Sequence, residues 1–414
     1  MTEAGASFPI GLSVQEARER IVEIAKKYIM PAETVALESA FGRVLAADIV
    51  APCDVPGFAN SAMDGFALRG ADLSAAGDKA FRLIGEILAG GHRTSTVIAN
   101  TCVRITTGAP LPDGADTVVM KENARVDGDR ILIAAGTASG ANARRAGEDY
   151  RAGDVALKRG TRLTPAQVSV LASFGFAMVN VTSRPRVVLL TTGDELTAPG
   201  DTLASGHIYD SNRYSLGGLL AQHGVELLRH ERIGDDPESL RDAVRRAGAD
   251  SDIIVSSGGV SAGEADFLPR VIVETGMVHF WKVRIKPGWP FLFGQVGQAL
   301  MFALPGNPVS GIATFATLLK PGLDALTGAH IASPGLRARL RLAISKRHAR
   351  TEFRRARIEC DAEGRLWAMP HAQQGSGMLR GVSEAHALIM LQESPHEFAA
   401  GDVVDILPLP GWPV

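Results

Sequence analysis

Between Val187 and Pro308 the chain repeats one pattern: a short apolar run, an exit rich in glycine and acid, then the start of a helix. Ile253-Ile254-Val255 shows it most sharply, running through Ser256 and Ser257 into Gly258-Gly259-Val260-Ser261-Ala262-Gly263 and then the acids Glu264 and Asp266. So short an apolar run is too brief for a helix and suits a strand buried on both faces. Val187–Leu190 leads into Thr191-Thr192-Gly193-Asp194-Glu195, and Val225–Ile233 alternates like a strand before Gly234-Asp235-Asp236. Met277–Ile285 and Ala299–Ala303 read as further strands. The intervening helices carry Leu216, Leu219 and Leu220 (capped by Ser211 or Asn212), Leu240 and Val244 behind Asp236-Pro237, and Phe267, Leu268, Val271 and Ile272; Asn307 and Pro308 open another. Such alternation specifies a doubly wound α/β unit with a mostly parallel sheet covered on both faces.

In sheets of this kind ligands sit beyond the carboxyl ends of the strands. The acids Asp194, Glu195, Asp235, Asp236, Glu264 and Asp266 all follow strand ends, so they can converge on one crevice with Gly258–Gly263. Glycines let backbone N–H groups approach an anion closely, and carboxylates beside a phosphate call for a bridging cation. The pattern predicts a magnesium–phosphate site.

The rest of the chain is built differently. Ser13 and Glu16 form a capping box for a helix with Ala17, Ile21, Ile24, Ala25 and Tyr28 on one stripe, ended by Pro31. A second helix starts at Thr164-Pro165 with Val168, Leu171 and Phe174 inward. Between them, residues 51–140 are β-type runs punctuated by Gly, Pro and Asp, which reads as a β-rich insertion into a helical unit (1–50 plus 141–180). Residues 181–329 are the α/β unit, and 330–414 are a β-barrel-like tail. In that tail Leu336, Ala338, Leu340, Leu342 and Ile344 alternate with arginines as one half-buried strand, and Asp361–Gly364 is a hairpin turn.

A formal net charge of -2 over 414 residues argues against a nucleic-acid binder. No apolar run approaches the ~18 residues of a membrane span, and MTEAGASFPIGLS lacks the basic and apolar regions of a secretory signal. A cytoplasmic protein is expected. Cys53, Cys102 and Cys360 stand too far apart to suggest a thiolate metal site.

SAMDGFA, TTGAPLPDGAD, GEDY, TTGDEL, SSGGVSAGEADF, WKVRIKPG and LPGNPVSG follow one another between residues 50 and 320. In order and spacing they resemble the molybdopterin molybdenumtransferases, the family of the bacterial MoeA proteins and the E domain of gephyrin. The resemblance implies the last step of molybdenum-cofactor assembly: molybdate is transferred to the dithiolene of adenylylated molybdopterin, and AMP leaves with the help of Mg²⁺. It also implies a homodimer with its cleft at the subunit interface, and traffic with a molybdopterin adenylyltransferase and with molybdoenzyme acceptors. The positions carried over are Asp64, Thr107, Asp149, Glu195, Asp235, Asp266, Lys282, Lys286, Pro305 and Pro308.

Physical chemistry then suggests roles. Ser257, Gly258, Gly259, Ser261, Gly263 and Lys286 would hold the pterin or its phosphate. Glu195, Asp235 and Asp266 would hold Mg²⁺, and Lys282 would neutralise charge at the breaking bond. Asp64 and Thr107 would close the cleft from the other subunit. The PGNPVS turn (Pro305, Asn307, Pro308, Ser310) with Arg355 and Ser376 would meet molybdate. Trp289 departs from the family's KPGKP and removes a second cation there. The alternatives are the preceding adenylyltransferase, whose single domain resembles residues 181–329, and a scaffold like the gephyrin E domain. The additional domains favour the transferase over the first.

Overall fold

The computed structural model describes residues 8–74, 77–92, 95–261, 267–330 and 335–409. At its centre lies a seven-stranded sheet. Its strands are β1 (Ile10–Leu12), β2 (Arg186–Thr192), β3 (Glu226–Ile233), β4 (Ile253–Ser257), β5 (Met277–Val283), β6 (Leu292–Val296) and β7 (Ala299–Leu304). The order is β1-β5-β6-β7-β4-β2-β3. Pairing is parallel everywhere except on the two sides of β6, so the mostly parallel sheet expected from the alternation is present.

Alternate residues of the inner strands face opposite ways, as the two-residue strand period requires. Val187, Leu189, Ile253, Val255, Leu300 and Phe302 pack with one helical layer, formed by α1 (Val14–Ala25), α2 (Asn212–Gln222) and the helical run from Pro308 to Thr327. Val188, Leu190, Ile254, Met301 and Ala303 pack with α3 (Pro237–Asp250) and α4 (Leu268–Thr275) on the other face.

Two features depart from the sequence reading here. Leu292–Val296, which the sequence reading left unassigned, is a strand hairpinned to Ala299–Leu304. Met277–Ile285 is not one strand: it ends at Val283, and Ile285–Lys286 pairs instead with Thr351–Glu352 of the C-terminal unit. The amino-terminal segment also serves the centre. Ile10–Leu12 extends the sheet, and Ala17, Ile21 and Ala25 of α1 are fully buried in its core. The Ser13 hydroxyl accepts from Glu16 N at 3.1 Å while the Glu16 carboxylate accepts from Ser13 N at 2.7 Å, closing the expected capping box.

Residues 65–133 hold a six-stranded sheet of their own, with small apolar clusters on both faces. Ala32–Ala36 pairs with Met178–Thr182, and the helix Pro165–Ser173 packs beside that pair around Leu45, Leu163, Leu171 and Val181. In the C-terminal unit, Leu336–Leu340, Thr351–Cys360, Leu366–Pro370, Ala387–Leu391 and Val403–Pro408 close into a ring, because Thr351–Cys360 pairs with both Leu366–Pro370 and Ala387–Leu391. The ring is the expected barrel. Its first strand is shorter than the alternation suggested: Leu342 points outward, and Ile344–Lys346 pairs with His396–Phe398.

Candidate active site

The carboxyl ends of the parallel neighbours β7, β4, β2 and β3 lie side by side along one edge of the sheet. Gly258 and Gly259 turn the chain out of β4 with φ of +95° and +66°, a region that side chains disfavour. A Cβ on Gly258 would lie 2.6 Å from Thr192 Oγ1 and 2.7 Å from Thr192 O, so only glycine lets this loop lie on the end of β2. Thr192 is 7% exposed, and its Oγ1 is buried with no hydrogen-bond partner among the described residues. An unpaired buried hydroxyl beside a glycine turn is a natural place for a ligand's polar group.

Gly306 comes close to this turn; a Cβ there would stand 3.4 Å from the Gly258 Cα. Asn212 joins the two loops: its Nδ2 donates to Ser257 Oγ at 2.8 Å and to Gly306 O at 2.6 Å. These two donations leave its Oδ1 as a buried acceptor without a partner among the described residues. Asn212 therefore does not cap α2. The Asp210 carboxylate accepts from Arg213 N at 3.0 Å instead. Asp210 is 3% exposed and also accepts from Thr191 Oγ1 at 2.7 Å, which itself lies 2.8 Å from His230 Nε2. Burial pushes the His230 imidazole below its ordinary pKa, with the nearby Arg213 adding to the effect.

The acidic exits of β2 and β3 are tied to each other. Asp235 N donates to Asp194 Oδ1 at 3.0 Å, and Asp194 N approaches Asp235 Oδ2 at 3.5 Å. Glu195 folds back over Gly193, where a Cβ would fall 2.4 Å from Glu195 Oε2. Glu195 and Asp235 are both exposed at neighbouring strand ends. Asp266 and Gly263 lie outside the described residues, and among the described residues no three His, Cys, Asp or Glu gather as a ready metal cage. Mg²⁺ needs no such cage, since it binds through one or two carboxylates and completes its shell with water and substrate phosphate.

Lys282 is 7% exposed and takes φ +60°, a strained conformation for a lysine. Its ammonium lies 4.6 Å from the centre of the Trp281 ring, and Trp281 Nε1 donates to Val260 O at 3.1 Å, which couples the lysine to the glycine loop. Lys286 pairs with Glu352 at 3.2 Å. Trp289 has the Arg350 guanidinium 6.0 Å from its ring, so a cation from the barrel unit stands close by.

Pro308 opens the helix behind Gly306, with Asn307 at the cap position but without a side-chain cap bond. Ser310 is 3% exposed in its first turn. The barrel reaches this turn through Ser376 O, which accepts from Val309 N at 3.1 Å. Arg355 is directed elsewhere than expected. Its buried guanidinium donates to the carbonyls of Met378, Gln373 and Gly375 at 2.6, 2.8 and 3.0 Å, so it clamps the loop carrying Ser376. Ser261 is exposed, and Pro305 O lies 3.5 Å from Ser257 Oγ.

Asp64 and Thr107 come together beside the six-stranded sheet of residues 65–133. Asp64 Oδ1 accepts from Thr107 N at 2.8 Å and Thr107 Oγ1 at 2.9 Å, with Lys121 Nζ 3.7 Å from Oδ2. These donors, the Thr107 amide first, hold the Asp64 carboxyl below the usual carboxylate range. Asp149 is exposed, its amide donating to Val55 O at 3.0 Å.

Thr192, Asp210 and Asn212 escaped the sequence reading as site residues. The available signal was their place in and beside the acidic strand exit, where short polar residues look like ordinary turn and cap chemistry.

Three family models match the chain: the MoeA N-terminal region (domain I and II) over residues 12–175, a probable molybdopterin binding domain over 188–325, and the MoeA C-terminal region (domain IV) over 337–409. A molybdopterin molybdenumtransferase from Haemophilus influenzae is 35% identical over 400 residues, covering 96% of this chain and 98% of its own length. One from Staphylococcus aureus is 34% identical, covering 96% and 95%. The crystal structure of a molybdopterin biosynthesis moeA protein from Pyrococcus horikoshii superposes with a TM-score of 0.83 at 28% identity, covering 96% of this chain and 100% of that one. With all of its motifs in order and nearly its full length matched, the chain belongs to the MoeA family of molybdopterin molybdenumtransferases.

Proposed function

We propose that this chain inserts molybdenum from molybdate into the dithiolene of adenylylated molybdopterin and releases AMP. The observation that carries the reading is the crevice at Gly258–Gly259, where two positive-φ glycines lie against the unpaired Thr192 hydroxyl beneath acidic strand exits. The Gly258 and Gly259 backbone, together with Ser257, Ser261, Gly263 and Lys286, binds the pterin and its phosphate. Lys282 sits where negative charge grows on the departing phosphate; its ammonium remains there, held over Trp281, without reorganising. Pro305, Asn307, Pro308 and Ser310, with Ser376 held in place by the Arg355 clamp, form the molybdate side.

Glu195, Asp235 and Asp266 are the residues that would hold Mg²⁺, which supplies charge neutralisation at the phosphoanhydride when bound. Asp64 and Thr107 close the cleft from a second copy of the chain, their side chains held together by the Thr107 amide and hydroxyl with Lys121 alongside. The cytoplasm is the expected compartment; no helix among the described residues is long and apolar enough to cross a membrane.

The test is AMP release from adenylylated molybdopterin with molybdate and Mg²⁺ supplied or omitted. Release that requires both is expected. Adenylylation of free molybdopterin from ATP, with no such release, would make the chain the preceding enzyme instead.

A further inference from the structure

The seam between the α/β unit and the barrel carries an acid that no motif singles out. Glu352 begins the closed ring at Thr351–Cys360, and its side chain is only 5% exposed. A carboxylate removed from water must be paired. Its Oε1 lies 3.2 Å from Lys286 Nζ, while Oε2 lies 3.3 Å from both Arg354 Nη2 and His348 Nε2. Burial alone would raise its pKa, but Arg354 and Lys286 reverse that and keep it an anion. Beside it Lys346 is buried, donating to His348 O at 2.6 Å and Ser394 O at 2.8 Å.

The backbone fixes the same pair. Ile285–Lys286 runs parallel to Thr351–Glu352 with Lys286 directly opposite Glu352, and Thr351 N donates to Arg284 O at 2.9 Å. Arg284 adds a second crossing: its Nε lies 3.2 Å from Glu393, and its Nη1 donates to Gly11 O at 2.6 Å. Lys286 itself is 44% exposed, so one flank of the ammonium rests on Glu352 and the other is open.

We propose that Glu352 is a positioning residue for the transfer reaction: the barrel supplies the fixed counter-charge that aims the Lys286 ammonium at the substrate oxyanion. The inference rests on the reading of Lys286 as an anion contact. A lysine is a point charge on a flexible stem, and anchoring one side of it in advance leaves less to order when the anion arrives. The barrel thereby contributes to the crevice without touching substrate through this acid.

The test is a double-mutant cycle in the full-length protein, read as AMP release. Glu352→Gln keeps the shape and removes the charge, so kcat should fall about tenfold. Because Glu352 acts through Lys286, adding it to Lys286→Met should lose nothing beyond Lys286→Met alone. Acetylation of Lys286 by a small activated ester, followed by peptide mass spectrometry, should be severalfold faster in Glu352→Gln. Additive losses with an unchanged labelling rate would overturn the inference, leaving Glu352 a purely structural acid. If Glu352→Gln does not fold, Glu352→Asp enters the same cycle; it keeps a negative charge in the seam but draws the carboxylate back from Lys286 by one methylene. A wild-type protein that releases no AMP would remove the functional reading and this inference together. An active wild type with additive losses would remove the inference alone.

Discussion

Gly258 shows how narrowly a single residue can be constrained by both fold and chemistry. Its φ of +95° and its contact with Thr192 exclude a side chain on two separate grounds. Gly258→Ala should therefore destabilise the central unit by about 1–3 kcal/mol and also push the loop off β2. The measurement is chemical unfolding followed beside ligand-dependent AMP release, and the loss of release should exceed what the unfolded fraction explains. Lys282 is the converse case, a bulky residue held at φ +60° where glycine would be relaxed. That such strain persists at a position the family motifs mark is consistent with a functional demand on where its ammonium stands.

At the scale of elements, the helix α1 is closed by a reciprocal cap and buries its apolar stripe in the core of the central sheet. Ser13→Ala should weaken that helix by about 1 kcal/mol, seen as roughly fivefold faster hydrogen exchange in its first turns. How far the elements were legible in the sequence follows the same logic. The runs Ile253–Val255 and Val187–Leu190 were plain because the middle of a strand buried on both faces is apolar at consecutive positions. Leu292–Val296 was hidden behind Trp289-Pro290, although its Gly297 turn was a usable signal. The break at Arg284 was invisible for a different reason. The residues on either side of it are equally buried, Val283 in one sheet and Ile285 in another, so the alternation never lapses. At the site, the glycines and acids announced themselves, whereas the bridge made by Asn212 and the clamp made by Arg355 did not. What those two hold together, Ser257 with Gly306 and the Gln373–Met378 loop, is apparent only once distant segments are folded.

On the scale of the whole molecule, burial sets an acid limit. The imidazoles of His223, His230, His279 and His348 are all pushed below their ordinary 6.5, chiefly by burial. The unfolded chain thus takes up protons before the folded one does as pH falls. The stability these groups contribute is fully present above 6.5 and is lost as pH drops from there through their folded values. A thermal midpoint that is lower at pH 5.5 than at pH 7.5, with net proton uptake on unfolding, is the expected result. The proposed sharing of the cleft between two subunits makes a second prediction. Asp64→Asn and Asp235→Asn should each be inactive alone, whereas an equimolar mixture, after subunit exchange, should recover roughly a quarter of the wild-type sites. No recovery despite proven exchange would place both acids in one subunit's site.

The strand exchange at Arg284 also bears on how this protein can be engineered. Residues 285–286 belong by sequence to the α/β unit and by hydrogen bonding to the barrel. The two units are therefore not interchangeable cassettes. A chimera that grafts a relative's C-terminal region at about residue 330 would inherit one parent's Lys286 and the other parent's partner strand. A workable junction has to transplant the 284–288 segment together with the barrel, as two discontinuous pieces of one graft.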